Sequence, residues 1–345
     1  MKTFALIALT CVVLAACGGD DGPSAAAPSG AGSGSGSSGG TGGGTGNGGG
    51  TGGGTGGTGG SGGSGGSGGG AVTLRYEALP TASDAASFLT LVNGEGAKGY
   101  RYLSDAYYAA EAATRSIFVN DGAAQTYTYQ LQPPPANVAA FVAQANAQGA
   151  SGYRYEGPLT YGELYRKDGG SSATYTYATA TLPAGTSAFI AQANGQGQSG
   201  YWFVGPMVFG TEQANLYMKN NASAATYTYE ALTPTSNVAD FMAQANDEGA
   251  KGYRAKGAMA FGSEIAWVYV KDRTQSPVFA YRSAAVQSTA AGFIDQSNTM
   301  GAQGNAYLGD LALGTPPALQ QASFYFSASN CTGFLCTTLN PLTQN

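Results

Sequence analysis

One pattern recurs five times along this chain and limits what it can fold into. A tyrosine is followed twelve residues later by a phenylalanine, five further on by an asparagine, and then by two glycines at intervals of three. The tyrosines are Tyr76, Tyr129, Tyr177, Tyr229 and Tyr281; the phenylalanines are Phe88, Phe141, Phe189, Phe241 and Phe293. The asparagines are Asn93, Asn146, Asn194, Asn246 and Asn298, and the glycine pairs run from Gly96 and Gly99 to Gly301 and Gly304. Successive tyrosines lie 53, 48, 52 and 52 residues apart. A period of this length marks a repeat architecture. A unit of about 45 residues has too little core to stand alone, so neighbours must bury part of each other.

Each copy reads as strand, helix, strand, strand. Thr126–Tyr129, Thr174–Tyr177 and Thr226–Tyr229 alternate β-branched and aromatic residues, which places tyrosines on one face and threonines on the other. In the fourth copy Ser236-Asn237 offers a helix cap, and Val238, Phe241, Met242 and Ala245 form one apolar stripe. Asn246 and Gly249 tolerate left-handed geometry and are expected to end that helix. Gly252 and Tyr253 open the second strand, Phe261-Gly262 turns, and Trp267–Val270 forms the third strand, closed by Lys271-Asp272. The fold class is therefore α+β: five tandem β-α-β-β repeats, each a three-stranded sheet with one helix on one face. A parallel crossover with the third strand between its ends is the expected strand order. Sandwiched pairs of repeats and one long sheet both remain open as ways of packing them.

The repeats occupy 71–121, 122–169, 170–220, 221–272 and 273–329, followed by a tail at 330–345. Ahead of them, 30 of the 56 glycines fall between Gly18 and Gly70. Such a Gly/Ser/Thr tract has little apolar surface and high backbone entropy, so 17–70 is expected to be a disordered tether. Residues 1–16 carry one lysine, a short apolar run and small residues, as a secretion signal does, and the run is too short for a membrane span.

Leu14-Ala15-Ala16-Cys17 resembles the cleavage box of bacterial lipoproteins. The resemblance implies cleavage before Cys17, acylation (palmitate) of its thiol, and anchoring by lipid to the bacterial outer membrane, facing the periplasm or the cell surface. The repeats themselves resemble a family of small bacterial domains of unknown function. That family has a tyrosine-rich strand, a short helix ending Leu-Asn, then Gly-x-x-Gly-Trp and two strands ending in a basic residue. The matching residues are Tyr127-x-Tyr129, Ala145-Asn146, Gly149-x-x-Gly152-Tyr153 and Tyr165-Arg166-Lys167, with tyrosine in place of the family's tryptophan. The resemblance implies a strand-helix-strand-strand fold and brings no catalytic residues.

Composition narrows the chemistry. The chain has no histidine, which removes the Ser-His-Asp and Cys-His systems and every His-containing zinc site. Net charge is −5 with scattered basic residues, which argues against nucleic acid as a partner. Neither a metal nor a cofactor is expected. Cys331 and Cys336 flank the turn-forming Thr332-Gly333 and are expected to form a disulfide. Arg101, Arg154 and Arg254 follow the second-strand aromatic, with Trp202 at the same place in the third copy. With Tyr102 and Tyr155 beside them, they are the candidate ligand-binding face for acidic sugars or carboxylates; a solvated strand face is the bland alternative. Glu163, Glu212 and Glu264 recur after the hairpin turn, but carboxylates in separate repeats have no evident reason to share a cleft. The expected function is non-enzymatic: a lipoprotein whose repeats bind or scaffold an envelope protein, with carbohydrate or cell-wall binding as the alternative.

Overall fold

Asparagine and glycine recur at fixed places because each does one job at the junction with the next repeat. A computed structural model describes residues 73–337; the signal sequence, Cys17 and the 17–70 tether lie outside the described residues. The first repeat comprises β1 (Arg75–Pro80), α1 (Ala85–Ala97), β2 (Arg101–Tyr108) and β3 (Ala113–Asn120). The second has β4 (Tyr127–Gln132), α2 (Val138–Ala150), β5 (Arg154–Leu159) and β6 (Gly162–Asp168). The third has β7 (Tyr175–Ala180), α3 (Thr186–Gln198), β8 (Trp202–Phe209) and β9 (Glu212–Asn220). The fourth has β10 (Tyr227–Leu232), α4 (Val238–Ala250), β11 (Arg254–Phe261) and β12 (Glu264–Asp272). The fifth has β13 (Val278–Ala284), α5 (Ala290–Ala302), β14 (Ala306–Leu313) and β15 (Gln320–Ser329), and a short helix α6 (Phe334–Thr337) follows.

In every sheet the third strand lies between the first and the second and runs antiparallel to both, so the outer two are parallel, as the crossover rule requires. Helices start where a side chain accepts a free amide: Asp84, Asn137, Asn237 and Thr289 each cap their helix. The expected helix end needs correction. Asn246 and Gly249 lie inside α4, and it is Gly252, at φ 90°, that takes the left-handed turn; Gly99, Gly152, Gly200 and Gly304 do the same.

The inner glycine of each pair has another role. Gly96, Gly149, Gly197 and Gly249 bring their helix against the carbonyl of the next repeat's first strand, at Tyr127, Tyr175, Tyr227 and Phe279, where a methyl group would overlap the oxygen. One turn earlier on the same face, the repeat asparagine takes the place of a neighbouring strand. Its Oδ1 accepts the N–H of the next repeat's tyrosine at 2.6 to 2.8 Å, and its Nδ2 reaches the same residue's carbonyl at 3.2 to 3.5 Å, as at Asn93–Tyr129 and Asn246–Tyr281. An open sheet edge is thus satisfied by one amide. The tyrosine hydroxyl then accepts a backbone N–H from the second strand of the preceding repeat at 2.6 to 3.0 Å.

Neither sandwiched pairs nor one long sheet results. The fifth repeat makes these same bonds to the first: Asn298 holds Tyr76, the Tyr76 hydroxyl accepts from Tyr307, and Gly301 packs on Leu74, whose N–H bonds the Gly301 carbonyl at 3.0 Å. The repeats close into a ring, which leaves no terminal repeat needing a cap. Its core is a large apolar cluster that includes Tyr76, Tyr108, Phe189, Phe241 and Phe324, and a smaller one across the first two repeats with Phe88, Tyr102 and Tyr129.

Candidate functional site

Strand direction gives the ring two ends. All five helix starts and all second-to-third-strand hairpins share one end; residue 73, the linkers between repeats and the tail share the other. The hairpins dock on the preceding helix. Glu212 accepts the N–H of Val138 at 2.9 Å, Glu264 that of Thr186 at 2.7 Å, Gln320 that of Val238 at 3.0 Å and Glu111 that of Ala290 at 2.7 Å. The three carboxylates oppose the positive helix ends, and Gln320 caps its helix through a neutral amide oxygen. Glu212 and Glu264 therefore cap helices, and the bond from Thr186 holds the Glu264 carboxyl below its ordinary range. Glu163 is not their equivalent: it lies two residues before Tyr165, buried, and accepts the Tyr155 hydroxyl at 2.5 Å.

The candidate ligand face also moves. Arg101, Arg154, Trp202 and Arg254 do occupy one column, but at 3%, 5%, 1% and 0% exposure they do not form a solvated strand face. They stand on the sheet face turned toward the middle of the ring. Tyr102 and Tyr155 lie on the opposite face under the helices, edge-on to Phe88 and Phe141, and cannot flank the arginines. A surface of aromatic and arginine side chains for sugars is therefore not formed by these residues.

The middle of the ring is ionic and aromatic. Arg101 pairs with Asp121 at 2.8 Å and lies over the Tyr127 ring. Arg154 pairs with Glu156 at 2.9 Å, and Arg166 bridges Glu156 and Asp168 at 3.4 and 2.9 Å. Burial opposes the Arg166 charge, but Glu156 and Asp168 outweigh it and hold its pKa above the ordinary guanidinium value. A β-bulge in each second strand turns one extra residue inward. These are Leu103, Glu156, Val204, Lys256 and Leu308, all buried. Lys256 crosses to the third repeat, donating to the Val204 carbonyl at 3.0 Å and lying over Trp202. Sequence reasoning passed over Arg166, Glu156 and Lys256. The available signal was a charged residue in a column otherwise filled by Val119, Met218, Val270 and Phe326, or by Leu103, Val204 and Leu308.

The tail closes this end of the ring. Cys331 and Cys336 form the expected disulfide, with Cα atoms 5.7 Å apart. Phe334 meets Trp202 edge-on at 4.9 Å and the Arg154 guanidinium at 5.0 Å, while the buried Leu335 accepts Arg254 Nη1 through its carbonyl. Burial draws the Arg254 pKa down against a small opposing effect of Tyr281. The hydroxyls of Tyr76, Tyr129, Tyr177, Tyr229 and Tyr281 are pushed up by burial, Tyr129 and Tyr281 to about 12, which leaves them as hydrogen-bonding groups rather than proton carriers near neutrality. Open grooves lie instead between helices and neighbouring strands. One of about 460 Å³ lies beside Tyr76, Tyr100 and Asn298, and one of about 800 Å³ beside Thr186, Ile190, Tyr229 and Glu230.

Two repeats carry a carboxyl pair. Glu77 faces Glu95, and Glu230 faces Glu248, with Lys98 and Lys251 bonded to the helix member at 2.7 and 2.6 Å. Burial, then the neighbouring carboxyl, pushes Glu77 and Glu230 up to about 7, so each pair shares a proton. Between the unfolded value near 4.5 and about 7, the folded chain holds protons that the unfolded chain releases. Stability from these two groups is complete below that window and is lost as pH rises through 7. Because solvent still reaches both, the effect is about 1 kcal/mol per site. Thermal melts of Glu77→Gln/Glu230→Gln should show a flatter decline from pH 5.5 to pH 8 than the unaltered chain; equal slopes would refute the shared proton.

No protein-family model, no curated protein and no solved structure matches the chain.

Proposed function

We propose that this is a lipid-anchored lipoprotein of the bacterial outer membrane whose ring is a non-catalytic platform for another envelope protein. The observation that carries the reading is the two-ended ring. The linkers lie at one end of the ring, and the other is the hairpin end. That end displays the most exposed apolar side chains, Val208 at 65% and Ile265 at 55%, together with Tyr107 and Leu319 on hairpins and Leu182 and Val286 on the loops before the helices. Exposed apolar residues gathered on one end of a rigid body suit a protein interface. Asp84, Glu111, Asp240 and Glu264 lie at the same end with Arg115, so the matching partner presents apolar side chains together with basic ones.

The test uses the full-length lipoprotein, crosslinked in its own envelope and recovered in detergent. Val208→Asp with Ile265→Asp should lower recovery of a specific protein at least tenfold while leaving the melting temperature within a few degrees, since these side chains are exposed. Unchanged recovery would remove the hairpin end from the interface. Binding to bare cell-wall sacculi, undiminished by the pair, would favour the glycan reading instead.

A further inference from the structure

The five repeats do not fill the middle of the ring equally. Where the others place Arg101, Arg154, Trp202 and Arg254, the fifth has only Ala306, which is nevertheless 4% exposed. The chain brings its own tail to this end of the ring. Phe334 and Leu335 reach three different repeats at once: Arg154 of the second, Trp202 of the third and Arg254 of the fourth. Leu335 is 1% exposed, as buried as a core residue, although it belongs to no repeat. The base of the segment is held twice. The Cys331–Cys336 disulfide closes it into a loop, and the Gln275 side-chain amide exchanges two 2.8 Å bonds with the Thr332 backbone.

We infer that the middle of the ring, at its linker end, is a binding site for a short peptide segment with an aromatic residue followed by an aliphatic one, filled in cis by Phe334-Leu335 and latched by the Cys331–Cys336 disulfide. Recognition has three parts: an aromatic edge and a cation for the phenyl ring, an apolar seat for the aliphatic side chain, and a guanidinium for the aliphatic residue's own carbonyl. Seating the segment also buries the Arg254 charge, which opposes binding. The latch tips that balance by ordering the loop before it docks, since an open chain must lose that freedom on binding.

A protein or small-molecule dithiol opens the latch by exchange. One thiolate attacks an Sγ, the Cys331–Cys336 bond breaks, and a mixed disulfide forms; the second thiol of the reductant then resolves it. Two electrons pass to the cystine. The reductant leaves as a disulfide and both cysteines as thiols.

The probe is a fluorescein-labelled, disulfide-closed synthetic peptide with the sequence of residues 330–337. It is titrated into the detergent-solubilised full chain and into the full chain carrying Phe334→Ser and Leu335→Ser. The variant should bind the probe saturably and at least tenfold more tightly than the unaltered chain, and a probe with serine at the phenylalanine position should not bind either. A variant that melts cooperatively and yet fails to capture the probe overturns the site. Should the double variant not fold, Cys336→Ser takes its place in the same titration, judged in the same way. The latch is read separately in a Trp267→Phe background, which leaves Trp202 as the single indole. Complete reduction by dithiothreitol should shift Trp202 emission while the cooperative melt persists, and an unchanged emission overturns the latch.

Discussion

Replacing Gly249 by alanine is expected to destabilise the protein by about 3 kcal/mol, the upper end of overpacking costs, despite the gain of about 1 kcal/mol that alanine brings to a helix interior. The added methyl group would overlap the Phe279 carbonyl of the next repeat, and that obstacle is backbone, not a side chain that can turn aside. Helix α4 must then withdraw from β13, which also draws Asn246 away from Tyr281. For a folded body of this size the loss corresponds to a fall of about 5 °C in melting temperature. Gly195 supplies the control. It lies in α3 with nothing within 4 Å of the added atom, so Gly195→Ala should raise stability by about 0.5 to 1 kcal/mol. Two glycines in equivalent helices should thus give opposite signs: if both substitutions stabilise, the close approach of helix and strand is wrong.

The second large effect concerns closure. Asn298→Ala leaves the N–H and carbonyl of Tyr76 without the amide that pairs them at 2.7 and 3.3 Å, a cost of about 2 to 3 kcal/mol. The partners are 222 residues apart in sequence, and no linker joins the fifth repeat back to the first. At the other four junctions a chain of a few residues keeps separated repeats near one another; here the ring can open without the rest unfolding. Hydrogen exchange should therefore accelerate first at the amides of Leu74 and Tyr76, by about thirtyfold for a loss of 2 kcal/mol. Asn194→Ala, at a covalently joined junction, should lower the melting temperature without selectively exposing β1. Protection at Leu74 and Tyr76 that survives Asn298→Ala would mean that closure does not depend on the asparagine. The same contacts explain why one repeat cannot be self-sufficient: cut out of the ring, it would keep its sheet but lose both the amide on its open edge and the tyrosine hydroxyl that its second strand donates to.

Much of each repeat was legible before any tertiary structure. The Thr-Tyr-Thr-Tyr alternation placed Tyr127 and Tyr129 inside and Thr128 outside, and the crossover rule placed the third strand in the middle of its sheet. Asn237 was readable as a cap and Cys331–Cys336 as a disulfide, because capping and closing a short loop involve residues near in sequence. The misreadings share a cause. Asn246 and Gly249 are residues that often end helices, and in isolation that is the better account; their actual partners, Tyr281 and Phe279, stand some 30 residues further along. Arg154 and Arg254 on a strand suggested solvent because a buried guanidinium needs partners, and those partners, Glu156 aside, come from other repeats and from the tail.

By itself, then, the sequence determined the number of repeats, the order of elements inside each and the topology of each sheet, all of which follow from hydrophobic period and local turn chemistry. Tertiary structure alone decided that the repeats close on themselves and that the arginine column faces inward. Closure depends on the angle between successive repeats, which is fixed where a glycine lets a helix touch the next strand and an asparagine and a tyrosine tie the two edges. A repeated residue shows in sequence that something constrains it; only the neighbouring repeat shows what it is held against.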